Sequence, residues 1–168
     1  MKYFLKFSVI VSLQFISAVA IANDKDGAHR NLADAIICKG DPAQAVYELV
    51  EKGNNFDAGY AAYGFGEGTS YKAVAILKEP LKIGEATTSA VISETENSNF
   101  DFGAFTYAQF KGDYKKMVKL LKLQEIIPYT NESLGKFVSN PTGCPNTIAL
   151  TPLENGEFLL GCGWHNGC

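Results

Sequence analysis

Apolar residues recur at helical spacing in three stretches of the chain. Over residues 28–38, Leu32, Ala35, Ile36 and Cys38 fall toward one side of a helix that Lys39-Gly40 ends. Asp41-Pro42 then has the order of an N-cap followed by a first helical residue, where proline's missing N–H costs nothing. Ala43, Val46, Tyr47 and Val50 continue at helical spacing until Gly53, so the two segments predict a helical hairpin. Asp113 is placed to cap a third helix through Leu123, in which Tyr114, Met117, Val118 and Leu121 form the apolar stripe. Lys115, Lys116, Lys119 and Lys122 occupy its other sides, the usual composition of a solvated face.

The middle of the chain changes period. Tyr71–Leu77, Leu81–Ser93 and Phe100–Phe110 are rich in β-prone residues, separated by Glu79-Pro80 and by the polar stretch 94–99. In the last run Phe102, Ala104, Thr106, Ala108 and Phe110 alternate with Asp101, Gly103, Phe105, Tyr107 and Gln109, giving one apolar and one mixed face. These runs predict a three-stranded antiparallel meander. Residues 54–68, dense in glycine and tyrosine, read as a loop. Near the end, Asn155-Gly156 between Thr147–Leu150 and Phe158–Leu160 is the preferred composition of a type I′ hairpin turn. The expected fold is therefore α+β: an N-terminal helical hairpin, the meander, one helix and a C-terminal β-hairpin, in a single domain over 23–168.

The first twenty-two residues stand apart from this pattern. Lys2 and Lys6 precede an apolar run from Phe7 to Val19, and Ala20-Ile21-Ala22 supplies small residues before the polar Asn23-Asp24. That is the order of a secretory signal with cleavage after Ala22. Ser8, Ser12, Gln14 and Ser17 interrupt the run, which falls short of the roughly 18 continuous apolar residues of a membrane span. The expected address is the periplasm or the medium, with no stable membrane anchor.

Charge narrows the partners. The whole chain carries a formal −3; removing Lys2 and Lys6 leaves thirteen basic against eighteen acidic residues, a formal −5. An acidic balance argues against nucleic acid, whose phosphates reward basic surfaces. It favours a basic partner.

Export also changes the reading of the four cysteines, Cys38, Cys144, Cys162 and Cys168, because an oxidising compartment turns an even count into disulfides. Three pairings are open. Pairing Glu154 with Glu157 across the hairpin turn brings Cys144 and Cys168 near one another beyond the open end, which favours Cys144–Cys168 with Cys38–Cys162. The same residues with His165 have the types of a zinc site, or of a thiol nucleophile assisted by imidazole. Disulfide formation would remove the thiolates both require, so no metal, cofactor or catalytic set is assigned.

Two groups remain as candidate binding residues. Trp164 and His165 sit between glycines near the C-terminus, and tryptophan is enriched at the energetic centres of interfaces. Tyr60, Tyr63 and Phe65 in the glycine-rich stretch offer large contact area with few rotatable bonds. Either group serves equally well in ordinary packing. The carboxylates Glu67, Glu79, Glu85, Glu94, Glu96, Asp101 and Asp113 include no pair that its flanking residues single out for acid–base work. The function expected is an exported envelope binding protein, an inhibitor or immunity factor against a basic periplasmic enzyme acting on the cell wall. The alternatives are a small secreted hydrolase using Cys/His or carboxylates, and a carrier with a small-ligand pocket between helices and sheet.

Overall fold

The computed structural model describes residues 17–42, 44–53, 59–67, 70–97, 102–130, 133–140 and 146–165. Eight strands form one antiparallel sheet: β1 (Tyr60–Glu67), β2 (Ser70–Ile83), β3 (Ala86–Asn97), β4 (Phe102–Lys111), β5 (Gln124–Glu125), β6 (Phe137–Val138), β7 (Thr147–Pro152) and β8 (Glu157–His165). Their order across the sheet is β1-β2-β3-β4-β8-β7-β6-β5. Three helices accompany it: α1 (Ser17–Ile36), α2 (Tyr47–Glu51) and α3 (Tyr114–Leu121).

This architecture corrects the expected one. No separate three-stranded meander or isolated C-terminal hairpin exists, because β4 pairs with β8 from Gly103↔His165 to Lys111↔Glu157 and joins the two halves into a single sheet. Residues 60–67 form edge strand β1 instead of a loop. Tyr60 and Ala62 turn inward, and the missing side chain at Gly64 lets the Val50 methyl of α2 approach to 3.2 Å of where a Cβ would stand. The run Leu81–Ser93 is not one strand; it is cut by the two-residue turn Gly84-Glu85 between Ile83 and Ala86, with Gly84 at φ +58. Conversely Glu79-Pro80 does not end a strand. Pro80 lies where the β2–β3 register shifts between Ile76 and Leu81, an irregularity in which a missing N–H breaks no ladder bond.

The helical hairpin is also corrected. α1 is long, running through Ala22 where the sequence places cleavage, and it ends in a left-handed Cys38 with the Lys39 and Gly40 N–H groups both donating to Asp34 O. α2 has only five residues; the chain from Asp41 reaches it through turns rather than a continuous helix. α3 forms as its pattern requires. The Asp113 carboxylate accepts from the Lys115 and Lys116 N–H groups, Met117 is buried, and Lys122 closes the helix in the left-handed conformation. The Asn155-Gly156 turn is present with both residues at positive φ, but the strands pair one residue out of the expected register, with Leu150 opposite Leu160 and Leu153 N–H donating to Glu157 O.

The helices and one face of the sheet enclose the core. Its strand members come from a single set of alternate positions: Tyr60, Ala62, Ala73, Ala75, Leu77, Val91, Ala108, Phe110, Leu150, Phe158 and Leu160, packed with Leu32, Ile36, Val46, Leu49 and Met117 from the helical segments. Phe110 and Phe158 are directly opposed across β4 and β8, with stacked rings 5.7 Å apart. Each such fully buried apolar side chain stabilises the fold by roughly 1.5–3 kcal/mol. Two polar devices fix the end of α1 and the following turn to this face. Cys38 is disulfide-bonded to Cys162 of β8, with Cα atoms 5.2 Å apart. Beside it Ser93 and Thr106, both fully buried and 2.5 Å apart, donate to the Pro42 carbonyl.

Candidate functional site

The alternate strand positions that do not enter the core form the second face of the sheet. It carries Tyr63, Phe65, Val74, Ile76, Ile92, Phe105, Tyr107 and Leu159, while the core-side helices lie on the other face. Phe65 is 64% exposed, Ile76 50%, Tyr63 43% and Leu159 37%, values that mark a face left open to solvent on β1, β2 and β8. Scattered exposed apolar residues need no explanation, but Tyr63, Phe65 and Ile76 cluster on the neighbouring strands β1 and β2, and such a cluster does. Two polar pairs also lie on this face. Lys72 pairs with Glu94 directly across β2 and β3 at 3.0 Å, and Gln109 donates to Glu157 at 2.5 Å across β4 and β8.

Toward β7 the open face becomes concave. Two rows cross the strands in register: Phe105–Gly163–Thr147 and Tyr107–Gly161–Ala149. The two glycines lack the side chains that would fill the middle of each row. A Cβ at Gly163 would collide with the Phe105 ring, which therefore lies over that glycine, and one at Gly161 would collide with the Tyr107 Cβ and the Thr106 carbonyl. A pocket of about 150 Å³ results, with Leu134, Thr151 and Leu159 completing its walls. Burial, then the charge of Glu94, holds the Tyr107 phenol above its ordinary pKa, with Lys72 opposing. Thr147 is 1% exposed and its Oγ1 has no hydrogen-bond partner among the described residues.

The structure separates the two groups of candidate binding residues. Tyr60 is 3% exposed and belongs to the core, so it is corrected from surface to packing. Tyr63 and Phe65 lie on the open face of edge strand β1. Trp164 and His165 are not in a flexible tail; they end β8, opposite Ala104 and Gly103, and their side chains lie outside the described residues. Four strand spacings separate β1 from β8, roughly 19 Å along the sheet at ~4.8 Å each. The two groups therefore do not form one site.

Of the cysteines, Cys38 and Cys162 are joined, while Cys144 and Cys168 lie outside the described residues. With Cys162 in a disulfide its sulfur is neither a thiolate ligand nor a nucleophile beside His165. Among the described residues no group of three His, Cys, Asp or Glu is placed to hold a metal ion. Several carboxylates have structural duties: Glu85 pairs with Lys116 at 2.6 Å, Glu94 with Lys72, Glu125 with Lys136 at 3.7 Å, and Asp113 caps α3. Glu67, Glu96 and Asp101 fall outside the described side chains.

The glycine-floored pocket was not read from the sequence, although a signal existed. Leu160 and Cys162 alternate with Gly161 and Gly163 at strand period, as do Thr106 and Ala108 with Phe105 and Tyr107. Comparison with protein-family models, with curated proteins and with solved structures finds no match for the chain.

Proposed function

We propose that the chain is an exported binding protein of the cell envelope that docks a partner protein on the open face of its sheet. The partner chemistry that fits best is a basic, wall-acting enzyme, held by an inhibitor or immunity factor. The observation that carries this reading is the cluster of exposed apolar side chains on neighbouring strands of the open face, Tyr63 and Phe65 on β1 and Ile76 on β2, with Leu159 exposed further along the same face on β8. An open sheet face bearing such residues suits a protein partner, since aromatic and large aliphatic residues supply the central contacts of interfaces. The acidic balance of the chain supports steering of a basic partner, and the Cys38–Cys162 disulfide is consistent with folding in an oxidising compartment.

Affinity capture from an envelope extract tests this with an internal control. Wild-type protein is expected to retain one stoichiometric partner that salt weakens, and the double variant Phe65→Glu/Ile76→Glu is expected to lose it. Lys115→Ala/Lys119→Ala, altered on α3, is expected to keep it. Capture undiminished by the open-face substitutions, or no partner under several conditions, contradicts the reading. A carrier pocket between helices and sheet is not supported, because Leu32, Ile36, Phe110, Phe158 and Leu160 fill that space at 0% exposure.

A further inference from the structure

We propose that the pocket over Gly161 and Gly163 binds a phenol: one aromatic ring bearing one hydroxyl, which Thr147 recognises. This goes beyond the docking of a protein, and it is measured on the isolated chain.

Size sets the ring. The pocket measures about 150 Å³ and opens to solvent on one side, and an apolar cavity of roughly that volume accommodates one benzene ring. Shape agrees, because the floor at Gly161 carries no side chain, and the Phe105 ring, which lies over Gly163, forms an aromatic wall together with Tyr107. A flat ring between an aromatic wall and a glycine floor gains offset or edge-to-face contacts that a bulkier aliphatic body cannot make.

Thr147 sets the polar group. It stands directly across from Gly163 in the pocket wall, almost wholly buried, with an unpaired Oγ1. Buried hydroxyls nearly always have a partner, and an exception in the wall of a pocket points to a group the pocket receives. The Oγ1 is closed off from solvent as it stands, so recognition includes a turn of Thr147 about χ1 toward the pocket, a turn that breaks no hydrogen bond among the described residues. Among the described residues the lining contains no charged side chain. An ionised ligand would be buried without compensation, whereas a neutral hydroxyl both donates and accepts and so pairs with threonine in either sense.

The same chemistry is carried by a free phenol and by a tyrosine side chain of a docked protein, and the test separates the two. The folded, disulfide-bonded protein is titrated with p-cresol, toluene and N-acetyltyrosine methylamide, following amide and methyl resonances. Shifts are expected at Phe105, Tyr107, Thr147, Gly161 and Gly163, with p-cresol at least tenfold tighter than toluene. Thr147→Val, which keeps the shape and removes the hydroxyl, is expected to bind toluene unchanged and to lose that tenfold preference. Thr147→Ser is expected to retain it. Binding of the tyrosine amide as tight as p-cresol assigns the pocket to a tyrosine side chain; binding tenfold weaker assigns it to a free phenol. No shifts with p-cresol up to its solubility, shifts away from these residues, or a preference that survives in Thr147→Val overturns the proposal.

Discussion

Thr147 is the one buried side-chain oxygen without a partner among the described residues. An unpaired buried polar group costs about 1–3 kcal/mol, so its replacement by the isosteric valine should stabilise the free protein. Thr147→Val is expected to add about 1 kcal/mol, raising Tm by roughly 2–4 °C in a chain of this size. A fall in Tm would mean that the hydroxyl has a partner. Tyr107 gives a second prediction, through pH. Its phenol is held above the ordinary 10.0, first by burial and then by Glu94. The unfolded chain therefore releases this proton before the folded one does, and stability declines as pH climbs past the ordinary tyrosine value. Tyr107→Phe should make that alkaline decline shallower in denaturant titrations, and an unchanged slope would place the loss on other tyrosines. None of this was legible in the sequence. Threonine and tyrosine at those positions look like ordinary strand residues until their cross-strand neighbours prove to be glycines.

At the scale of elements, what could be read was what depends on near neighbours. The Asp113 cap of α3 and the Asn155-Gly156 turn each involve residues within a few positions of one another, and both form. β1 is not legible locally because its glycines lower strand preference; pairing with β2, burial of Tyr60 and Ala62, and packing of Val50 over Gly64 stabilise it there. β8 is hidden for a related reason. The run Gly161-Cys162-Gly163 resembles a flexible tail, yet every residue from Glu157 to His165 pairs with β4. The turn at Gly84 hid in a continuous β-prone run, where one left-handed glycine suffices to reverse the chain. If the glycines of β8 are there to admit Phe105 and Tyr107, side chains must be harmful. Gly163→Val is expected to cost about 1–3 kcal/mol by overpacking and to displace the Phe105 ring. Unaltered stability by urea unfolding would show that the ring is not held over the glycine.

The whole molecule depends on links that span most of the chain. Cys38 and Cys162 are 124 residues apart in sequence, and their bond fastens the end of α1 to the centre of the sheet. Closing so long a loop limits the unfolded chain strongly, so Cys38→Ala/Cys162→Ala is expected to lower stability by about 2–5 kcal/mol in chemical unfolding. A loss below 1 kcal/mol would reduce the bond to a minor role. The hairpin turn in the sequence favours the Cys38–Cys162 pairing that the structure contains, while Cys144 and Cys168 lie outside the described residues. Pairing β4 with β8 is equally non-local, and it converts two expected small sheets into one large sheet with a single covered face. That asymmetry is the basis of the functional reading: helices bury one side, and the other side presents Tyr63, Phe65 and Ile76 to solvent. Site-specific photo-cross-linking in living cells tests it most directly, with a benzophenone amino acid placed in turn at positions 65 and 76 on the open face and at the exposed position 120 on α3. The account predicts one discrete adduct from 65 and from 76 and none from 120. Adducts from 120 alone, or from all three positions alike, would contradict it.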